Sequence, residues 1–367
     1  MPATIGASRN TVHIAVLPGD GIGIEVTAAT LAVLEPLAKR HRIGLSTESL
    51  AAGAFHYQAT GTAMDEATFR RAEAADAILL GAMGWPGIRQ ADGTEIAPQL
   101  DLRFRLNLYA GVRPVRAIPG VPVALADPRA RAIDLVILRE STEGLFHSRG
   151  RGLVTQDAAE ETLRITRSVT EKLCRFAFRL AERRAARRQR KGRVTLVDKA
   201  NVFRAFAFMR AVFDEVAREF PGVEAAHHYV DAMALDLVRR PWDFDLLPTE
   251  NMFGDILSDL GAGLVGGMGF SPSADIGDEH AVFQPAHGTA PDIAGKGIAN
   301  PTAMLLSAAM MLDWLAARGA GQGFADAAME LEGAVDAAFA NGLRTPDIGG
   351  SDGTNAAARA VIARIGA

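Results

Sequence analysis

Hydrophobic residues along the chain alternate between short apolar runs and longer stretches with helical spacing. An apolar run at residues 12–17 leads into a glycine-rich turn and then into a stretch whose apolar positions repeat helically up to Leu37. Further strand-like runs lie at residues 77–80 and 134–138. Short strands that alternate with helical stretches predict an α/β protein with a largely parallel sheet.

The later part of the chain continues this pattern. A helical stretch at residues 162–190 becomes densely basic and is followed by a strand at residues 194–197. Another helix is predicted to begin near Asn251 or Phe253, and the glycine-rich stretch 261–269 is predicted to be a crossing between lobes. Since 367 residues exceed the usual size of one compact core, we predict two lobes.

Composition and charge favour a soluble enzyme. Hydrophobic residues make up 49% of the chain, and a net charge of -4 gives no general attraction to nucleic acid or acidic membranes. The basic run near the end of the 162–190 helix is interpreted as a solvated helix face. The single cysteine, Cys174, cannot form an internal disulfide, residues 1–10 do not resemble a secretory signal, and Asp313 interrupts the longest apolar run. We therefore expect a cytoplasmic protein without nucleic-acid or membrane partners.

Two carboxylates suggest a metal site. Asp255 and Asp259 are four residues apart, which places them on one face of the predicted helix. A cation would offset the repulsion between them, and oxygen ligands suit Mg²⁺ or Mn²⁺. Asp231 offers a third carboxylate after an extended segment, and Lys199 at a strand end could act as a base if neighbouring cations lower its pKa. Taken alone, each of these residues is more often a solvated surface residue.

Three arginines suggest an acidic substrate. Arg103, Arg113 and Arg139 could bind carboxylates through paired hydrogen bonds, with Glu140 orienting one of them. The alternative is surface ion pairing, which contributes little free energy.

Eight segments together resemble one family, the metal-dependent β-decarboxylating dehydrogenases, which include 3-isopropylmalate, isocitrate, homoisocitrate, tartrate and D-malate dehydrogenases. The resemblance covers nearly the whole chain. The segments are LPGDGIGIEV (17–26), LRFRLNLYAGVRPVR (102–116), RESTEGLF (139–146), VDKANV (197–202), YVDAMALDLV (229–238), NMFGDILSDLGAGLVGG (251–267), HGTAPDIAGKGIANPTAMLLSAAMML (287–312) and TPDIGGSDGT (345–354).

The resemblance implies a two-lobed isopropylmalate dehydrogenase-like fold with mixed sheets flanked by helices. Residues 1–108 and 266–367 would form a large cofactor-binding lobe, and residues 109–265 would form a lobe for dimerisation, metal and substrate. The turn at 19–23 reads G-x-G-x-G and lacks the last glycine of the Rossmann fingerprint, so a Rossmann fold is not expected.

The resemblance also assigns roles to the acidic residues. Asp255 and Asp259 of one subunit would bind Mg²⁺ or Mn²⁺ together with Asp231 of the partner subunit. Lys199, also of the partner subunit, would help to remove the hydroxyl proton of the substrate before carbon dioxide leaves. The protein would then be a homodimer with shared active sites.

The resemblance also implies which residues bind the substrate and which bind the cofactor. Arg103, Arg113 and Arg139 would hold the carboxylates of a small 2-hydroxy diacid. The residues matching the cofactor site are His287, Gly288, Thr289, Ala290, Asp292 and Asn300. Because a carboxylate at Asp292 can accept hydrogen bonds from ribose hydroxyls and repels a 2′-phosphate, the implied cofactor is NAD.

Two departures from the family pattern bear on the reaction. Phe146 stands where relatives usually have a tyrosine that assists the last proton transfer, so His147 or a water would have to supply that proton. Gln99 lies in the segment that selects the distal group of the substrate, beside apolar Leu100, and Pro98 is expected to disturb the helix there.

These features leave the substrate open. We place 3-isopropylmalate-like oxidation first and tartrate or D-malate oxidation second, since a buried Gln99 would favour a polar group and a surface Gln99 an apolar one. A regulatory paralogue without turnover is a further alternative, suggested by Phe146 alone.

Overall fold

Contacts divide the chain into two compact units. The structure, a computed structural model, describes residues 11–366. Unit 1 contains Met1–Asn107, Ile118–Pro122 and Gly266–Ala367, and unit 2 contains Leu108–Ala117 and Val123–Val265. The predicted crossing at 261–269 begins later than expected, because Gly261 still lies inside a helix of unit 2.

The described residues form strands and helices that alternate along most of the chain. The strands are β1 (Thr11–Gly19), β2 (Gly44–Ser49), β3 (Ala77–Ala82), β4 (Ala110–Arg116), β5 (Asp134–Glu140), β6 (Leu153–Val154), β7 (Ala159–Glu160), β8 (Arg193–Asp198), β9 (Glu224–Tyr229), β10 (Leu246–Thr249), β11 (Pro272–Ile276) and β12 (Ala281–Pro285). The α-helices are α1 (Ile22–His41), α2 (Ala54–Thr60), α3 (Glu66–Ala74), α4 (Pro98–Arg105), α5 (Arg167–Arg188), α6 (Arg204–Ala217), α7 (Val230–Arg239), α8 (Asn251–Leu264), α9 (Thr302–Leu315), α10 (Gln322–Ala340) and α11 (Thr354–Ile362).

In unit 1 the strands follow the order β2-β1-β3-β12-β11. Strand β1 is parallel to both of its neighbours and β12 is parallel to β3, whereas β11 runs antiparallel to β12. Helix α9 packs against β11 and β12, and α1 packs against β3. Within the described residues one segment, Thr302–Ala320, is long and apolar enough to span a membrane, but 56% of it is buried inside the protein, as expected for a core helix.

In unit 2 the strands follow the order β4-β5-β10-β8-β9, with β4 antiparallel to β5 and the other pairs parallel. Helices α5 to α8 pack against these strands, and an apolar core that includes Ile137, Val197 and Leu257 lies beneath them. Both units therefore contain an antiparallel pair. The mixed α/β fold flanked by helices is confirmed, and six of the eight strand pairs described here are parallel, as expected for a largely parallel sheet.

The boundaries of two helices differ from the predictions for clear physical reasons. The helix expected from residue 162 begins at Arg167, because Thr166 caps it by accepting a hydrogen bond from the backbone N–H of Val169. The expectation that Pro98 disturbs its helix is wrong. Pro98 starts α4, in the first turn, where its missing N–H costs no helical hydrogen bond.

The basic end of α5 is only partly a solvated face. Arg184 donates from Nε to Asp245 at 2.9 Å, and Arg188 donates from Nη1 to the same carboxylate oxygen at 3.0 Å. Asp245 is buried, so these two arginines balance a buried charge and attach α5 to the end of the sheet. This use of the basic run gives it a structural role that does not require nucleic acid.

The first glycine turn brings three segments of unit 1 together. Gly21 adopts a φ of 56°, and a Cβ there would lie 2.2 Å from the carbonyl oxygen of Thr289, so only glycine allows this approach. The buried carboxylate of Asp20 accepts hydrogen bonds from the backbone N–H groups of Ala54, Phe55 and Gly84. The turn therefore fixes the loop that contains Thr289.

Candidate active site

Helix α8 presents the two carboxylates that the spacing predicts. Glu250 caps the helix by accepting hydrogen bonds from the N–H groups of Met252 and Phe253, a role that the sequence reading missed although an acidic residue directly precedes the helix. Asp255 and Asp259 are both exposed on α8, one turn apart, while Leu257 is buried beneath them. Two acidic oxygen donors are thus available to solvent on one helix.

Two buried arginines lie against this acidic pair. Arg139, at the end of β5, donates from Nη1 to Asp255 and from Nη2 to Asn251 at 3.0 Å. Arg113 lies on the paired strand β4 and is also buried. Gly254 permits the close packing, since a Cβ there would lie 2.7 Å from Cβ of Arg139. We call Arg113, Arg139, Asp255 and Asp259 the acid–arginine site.

The electrostatics of this site favour a bound cation. Burial raises the pKa of Asp259, the neighbouring charge of Asp255 raises it further, and Arg113 and Arg139 oppose the rise. The Asp259 carboxylate is therefore destabilised where it stands. A divalent cation would offset both causes, and carboxylate oxygens are the donors that Mg²⁺ and Mn²⁺ prefer, so these residues fit such an ion.

Lys199 and Asp231 form a separate ion pair in unit 2. Lys199 Nζ donates to Asp231 Oδ1 at 2.7 Å, and this hydrogen bond lowers the pKa of the Asp231 carboxyl group. Asp231 lies in the first turn of α7, two residues after the end of β9, which is the extended segment expected to precede it. Within residues 11–366 no group of three or more acidic, histidine or cysteine side chains could hold a metal ion, so a single subunit does not bring Asp231 to Asp255 and Asp259.

Arg103 and Gln99 lie on α4 in unit 1. Arg103 is buried and donates from Nη2 to Asp275 at 3.0 Å, and Asp275 also accepts from Gln284. The Arg103 Nε atom is buried without a hydrogen-bond partner among the described residues, so this guanidinium still has a donor to offer. Gln99 is half-buried, and its Oε1 atom likewise has no partner there. Sequence reasoning missed Asp275 because it is 172 residues away from Arg103.

Phe146 lies in a short 3₁₀ helix, Leu145–Ser148, and is half-buried. His147, the alternative proton donor, is half-buried beside it. The phenyl ring offers no proton, and the role of His147 stays a prediction.

The loop after β12 contains the residues predicted to bind the cofactor. Burial lowers the pKa of His287, which keeps the imidazole neutral near pH 7, and its buried Nε2 atom has no partner among the described residues. Ala290 has a φ of 40°, a left-handed conformation that L-residues adopt rarely and that clusters at ligand sites. Asp292 is exposed on this loop. These features fit a loop built to contact a ligand.

The remaining residues predicted to bind the cofactor are Gly288, Thr289 and Asn300. Thr289 is buried, and a Cβ added at Gly288 would meet no atom within 4 Å, so there is open space at that position. Asn300 is buried and donates from Nδ2 to Asp347 at 3.0 Å, while its Oδ1 accepts from Thr302 N–H. Asp347 was not among the predicted residues, yet its carboxylate restrains the side-chain amide of Asn300, which was predicted.

Comparison with known proteins places the chain in a family. A sequence model described as isocitrate/isopropylmalate dehydrogenase matches residues 13–364. The chain is 42% identical to the 3-isopropylmalate/3-methylmalate dehydrogenase of Methanocaldococcus jannaschii over 96% of this chain and 98% of that protein. It is 41% identical to the 3-isopropylmalate dehydrogenase of Methanothermobacter thermautotrophicus over 94% and 95% of the two chains.

Solved structures similar to this chain support the same family assignment. The isocitrate dehydrogenase of Methylococcus capsulatus superimposes with a TM-score of 0.83 at 36% identity, over 97% of this chain and 99% of that one. A β-decarboxylating dehydrogenase from Thermococcus kodakarensis gives a TM-score of 0.76 at 36% identity, over 97% and 96%. The fold and these matches define an enzyme of the decarboxylating dehydrogenase class. The chain belongs to the isocitrate/isopropylmalate dehydrogenase family.

Proposed function

We propose that this enzyme oxidises a 2-hydroxy diacid of the 3-isopropylmalate type with NAD, in the presence of Mg²⁺ or Mn²⁺, and releases carbon dioxide. The acid–arginine site supports this most directly, because it offers two carboxylates for a cation beside two buried arginines for the acid groups of a substrate. Two relatives described above are 3-isopropylmalate dehydrogenases, which supports the same substrate type.

The roles of the protein groups follow from their chemistry. Arg113 and Arg139 bind and orient carboxylates of the substrate, and Arg103 is proposed to bind a carboxylate as well. Asp255 and Asp259 hold the divalent cation, which when bound supplies positive charge for developing negative charge on the substrate. Buried arginines and a cation in one place also select for a dianionic substrate over a neutral one.

Lys199 is proposed to take up the hydroxyl proton of the substrate. Its Nζ atom lies 2.7 Å from Asp231 Oδ1, so Asp231 positions the amine, which has to be in its neutral form to accept the proton. Asp231 is also proposed as the third metal ligand, contributed to the acid–arginine site of a partner subunit. With no hydroxyl at Phe146, the last proton is assigned to a water or to His147.

A homodimer is proposed because unit 2 exposes apolar side chains on the two helices that carry the acidic residues. Leu235 and Val238 on α7 are 55% and 46% exposed, and Met252 and Ile256 on α8 are 41% and 62% exposed. Pairing these surfaces between two copies would bury them. It would also bring the Asp231 of one copy near the acid–arginine site of the other copy. Unit 2 would then carry dimerisation, metal and substrate binding.

NAD is proposed as the cofactor, bound by unit 1. The exposed carboxylate of Asp292 can accept hydrogen bonds from ribose hydroxyls and would repel the 2′-phosphate of NADP. The neutral imidazole of His287 and the left-handed loop at Ala290 add a hydrogen-bonding atom and an exposed backbone turn. We also propose a cytoplasmic location, because the single cysteine, Cys174, forms no internal disulfide and so suits a reducing compartment.

Of the alternatives tartrate and D-malate, one observation favours tartrate as a second candidate substrate. The Oε1 atom of Gln99 is buried without a partner among the described residues, and leaving such an acceptor unsatisfied costs free energy. The hydroxyl group at C3 of tartrate would satisfy it, whereas the isopropyl group of 3-isopropylmalate and the unsubstituted C3 of D-malate would not. A Gln99→Leu variant should therefore shift the preference toward 3-isopropylmalate.

A substrate panel tests the proposal. NADH formation is measured with 3-isopropylmalate, D-malate, tartrate and isocitrate, each with Mn²⁺ and again with excess chelator, and each with NADP in place of NAD. The proposal predicts metal-dependent NADH formation with at least one of the first three acids and little NADPH. If no acid gives metal-dependent NADH, the chain is instead a paralogue without turnover, and an Asp292→Ser variant with unchanged NADP use would remove the argument for NAD.

A further inference from the structure

A basic cavity lies in unit 2, formed by residues outside the acid–arginine site. It has a volume of about 290 Å³ and is lined by Arg193, Thr195, His227, His228, Arg240, Asp243 and Phe244. This volume is at the lower limit of pockets that hold drug-sized molecules, roughly 300–1,000 Å³, so the cavity suits a small ligand. One carboxylate, that of Asp243, is among the lining groups.

The parallel register of β8 and β9 explains why the basic groups meet. Arg193 and Thr195 are two residues apart on β8 and so point to the same face of the sheet. Because Val197 pairs with His228, the His228 side chain points to that face as well. Arg240, at the end of α7, lies over this face of the sheet, and its guanidinium contacts the ring of Phe244. The imidazole of His227 points to the opposite face and binds Asp214.

Thr195 provides the observation that points to a ligand. It is 2% exposed, and its hydroxyl oxygen is buried without a hydrogen-bond partner among the described residues. The Nε atom of Arg193 is also without a hydrogen-bond partner there, although it lies within ion-pair distance of Glu224, at 3.3 Å. The buried Thr195 hydroxyl that faces the cavity therefore lacks an acceptor, and an anion would supply one.

The Asp236 carboxylate binds two of the groups that line the cavity, and those groups keep further hydrogen-bond donors. Asp236 accepts from Arg240 Nη2 at 2.8 Å and from His228 Nε2 at 2.9 Å. Arg240 and, to a smaller extent, His228 hold the pKa of Asp236 at about 2, so it stays charged and orients both groups. Arg240 has five N–H donors, and its other bond in the described residues is a longer contact of 3.6 Å to Asp243. Donors therefore remain for a ligand.

We propose that this cavity is a binding site for a small tetrahedral oxyanion, namely a phosphate group. Arg193 and Thr195 lie on β8, Arg240 follows α7, and the oxygens of a phosphate group can accept hydrogen bonds from all three. A phosphate group offers two arginines and a hydroxyl more oxygens and more negative charge than a carboxylate does. The site requires neither metal nor NAD and stands independently of the proposed reaction.

Inorganic phosphate is the probe, and the full-length protein without metal or NAD is the sample. At constant ionic strength, the methyl resonance of ¹³C-labelled Thr195 should shift saturably with phosphate, and sodium chloride should leave it unchanged. Calorimetry then gives the phosphate affinity of each variant. Arg240→Gln should weaken phosphate binding at least tenfold, because it removes charge-assisted hydrogen bonds. Arg239→Gln, which removes an exposed charge one residue away, should leave the affinity unchanged.

A second variant separates binding from folding. Thr195→Val removes a hydroxyl that has no partner among the described residues, so the melting temperature should not fall. The same variant should weaken phosphate binding by roughly threefold to tenfold.

Three outcomes would overturn the proposal. The first is a Thr195 resonance that does not respond to phosphate. The second is a phosphate affinity that is unchanged by Arg240→Gln but lost in Arg113→Gln, which would place phosphate at the acid–arginine site. The third is tighter binding of malonate than of phosphate, which would assign the cavity to carboxylates.

Discussion

Lys199 donates a hydrogen bond to Asp231 across 2.7 Å, so the proposed base and the proposed third metal ligand form one ion pair. They lie on neighbouring elements, Lys199 after β8 and Asp231 in the first turn of α7. In the described residues Asp231 shares no metal-binding cluster with the acidic pair of α8. Our proposal is that Lys199 and Asp231 work as a unit at the acid–arginine site of a partner subunit.

Mixing two inactive variants tests this arrangement. Lys199→Met and Asp259→Asn homodimers should each lose at least 100-fold in kcat, since each lacks a group used in every site. After unfolding and joint refolding, half of the dimers are mixed and one of their two sites is intact, so about a quarter of wild-type activity should return. Mixing Asp255→Asn with Asp259→Asn is the control and should restore nothing. If the first mixture also stays inactive, the sites are not shared.

Neutralising Asp259 should stabilise the metal-free protein. Its pKa is raised in the folded state, so the stability that its protonated form provides is complete below the ordinary value of 3.8 and is lost as the pH rises through the folded pKa. At pH 7 the charged group opposes folding, and Asp259→Asn should raise the melting temperature by roughly 1–3 °C. The variant should also lose the stabilisation that Mn²⁺ gives the wild type. Calorimetric scans with and without Mn²⁺ measure both effects, and a lower melting temperature without metal would contradict the argument.

Glu140 should make the stability depend on pH. Burial raises its pKa to about 7 from the ordinary 4.5, although Thr142 and Glu143 donate hydrogen bonds to the carboxylate. The protonated group therefore favours folding below pH 4.5, and that contribution, of the order of 3 kcal/mol at most, is lost as the pH rises through 7. Urea unfolding between pH 5 and 8 should show a smaller decline in Glu140→Gln than in the wild type. The exposed Glu279→Gln variant should decline like the wild type, and equal slopes in all three would rule out Glu140 as the cause.

Restoring the hydroxyl at Phe146 should speed the end of the reaction. Phe146→Tyr supplies a proton donor in a half-buried position, and general acid catalysis of this kind contributes up to about 10²–10⁴-fold when the step is limiting. Rapid-quench measurement of carbon dioxide and ketone product should show faster decarboxylation in the variant. Phe146→Leu serves as the control for ring packing and should not accelerate it. An unchanged rate in Phe146→Tyr would mean that the missing hydroxyl does not limit turnover.

Local periodicity predicted the helices and strands. It could not predict which residues, distant in the sequence, form pairs in the folded chain. The spacing of Asp255 and Asp259 is a property of one helix, so the sequence alone was sufficient to place them together on α8. The partner of Arg103 is Asp275, which no spacing rule connects to it, and the buried ion pair is visible only in the folded chain. Pro98 shows a different limit, because a proline ends a helix in one position and begins one in another.

The burial of single side chains was also hidden from the sequence. Glu140 was expected to orient an arginine, whereas its carboxylate is buried and accepts hydrogen bonds from Thr142 and Glu143. Thr195 reads as an ordinary strand residue, and only the cavity beside it shows that its hydroxyl lacks an acceptor. Both properties depend on which strands become neighbours, and sequence periodicity does not contain that information.

The interleaving of the two units gives the chain an order of maturation during synthesis. All residues of unit 2 have been made once Val265 has left the ribosome, so this unit can close its core while synthesis continues. Unit 1 must wait, because β12, the neighbour of β3, is not complete before Pro285. Until then the apolar strand β3 has an open edge, and an unpaired apolar edge of this kind is prone to aggregation.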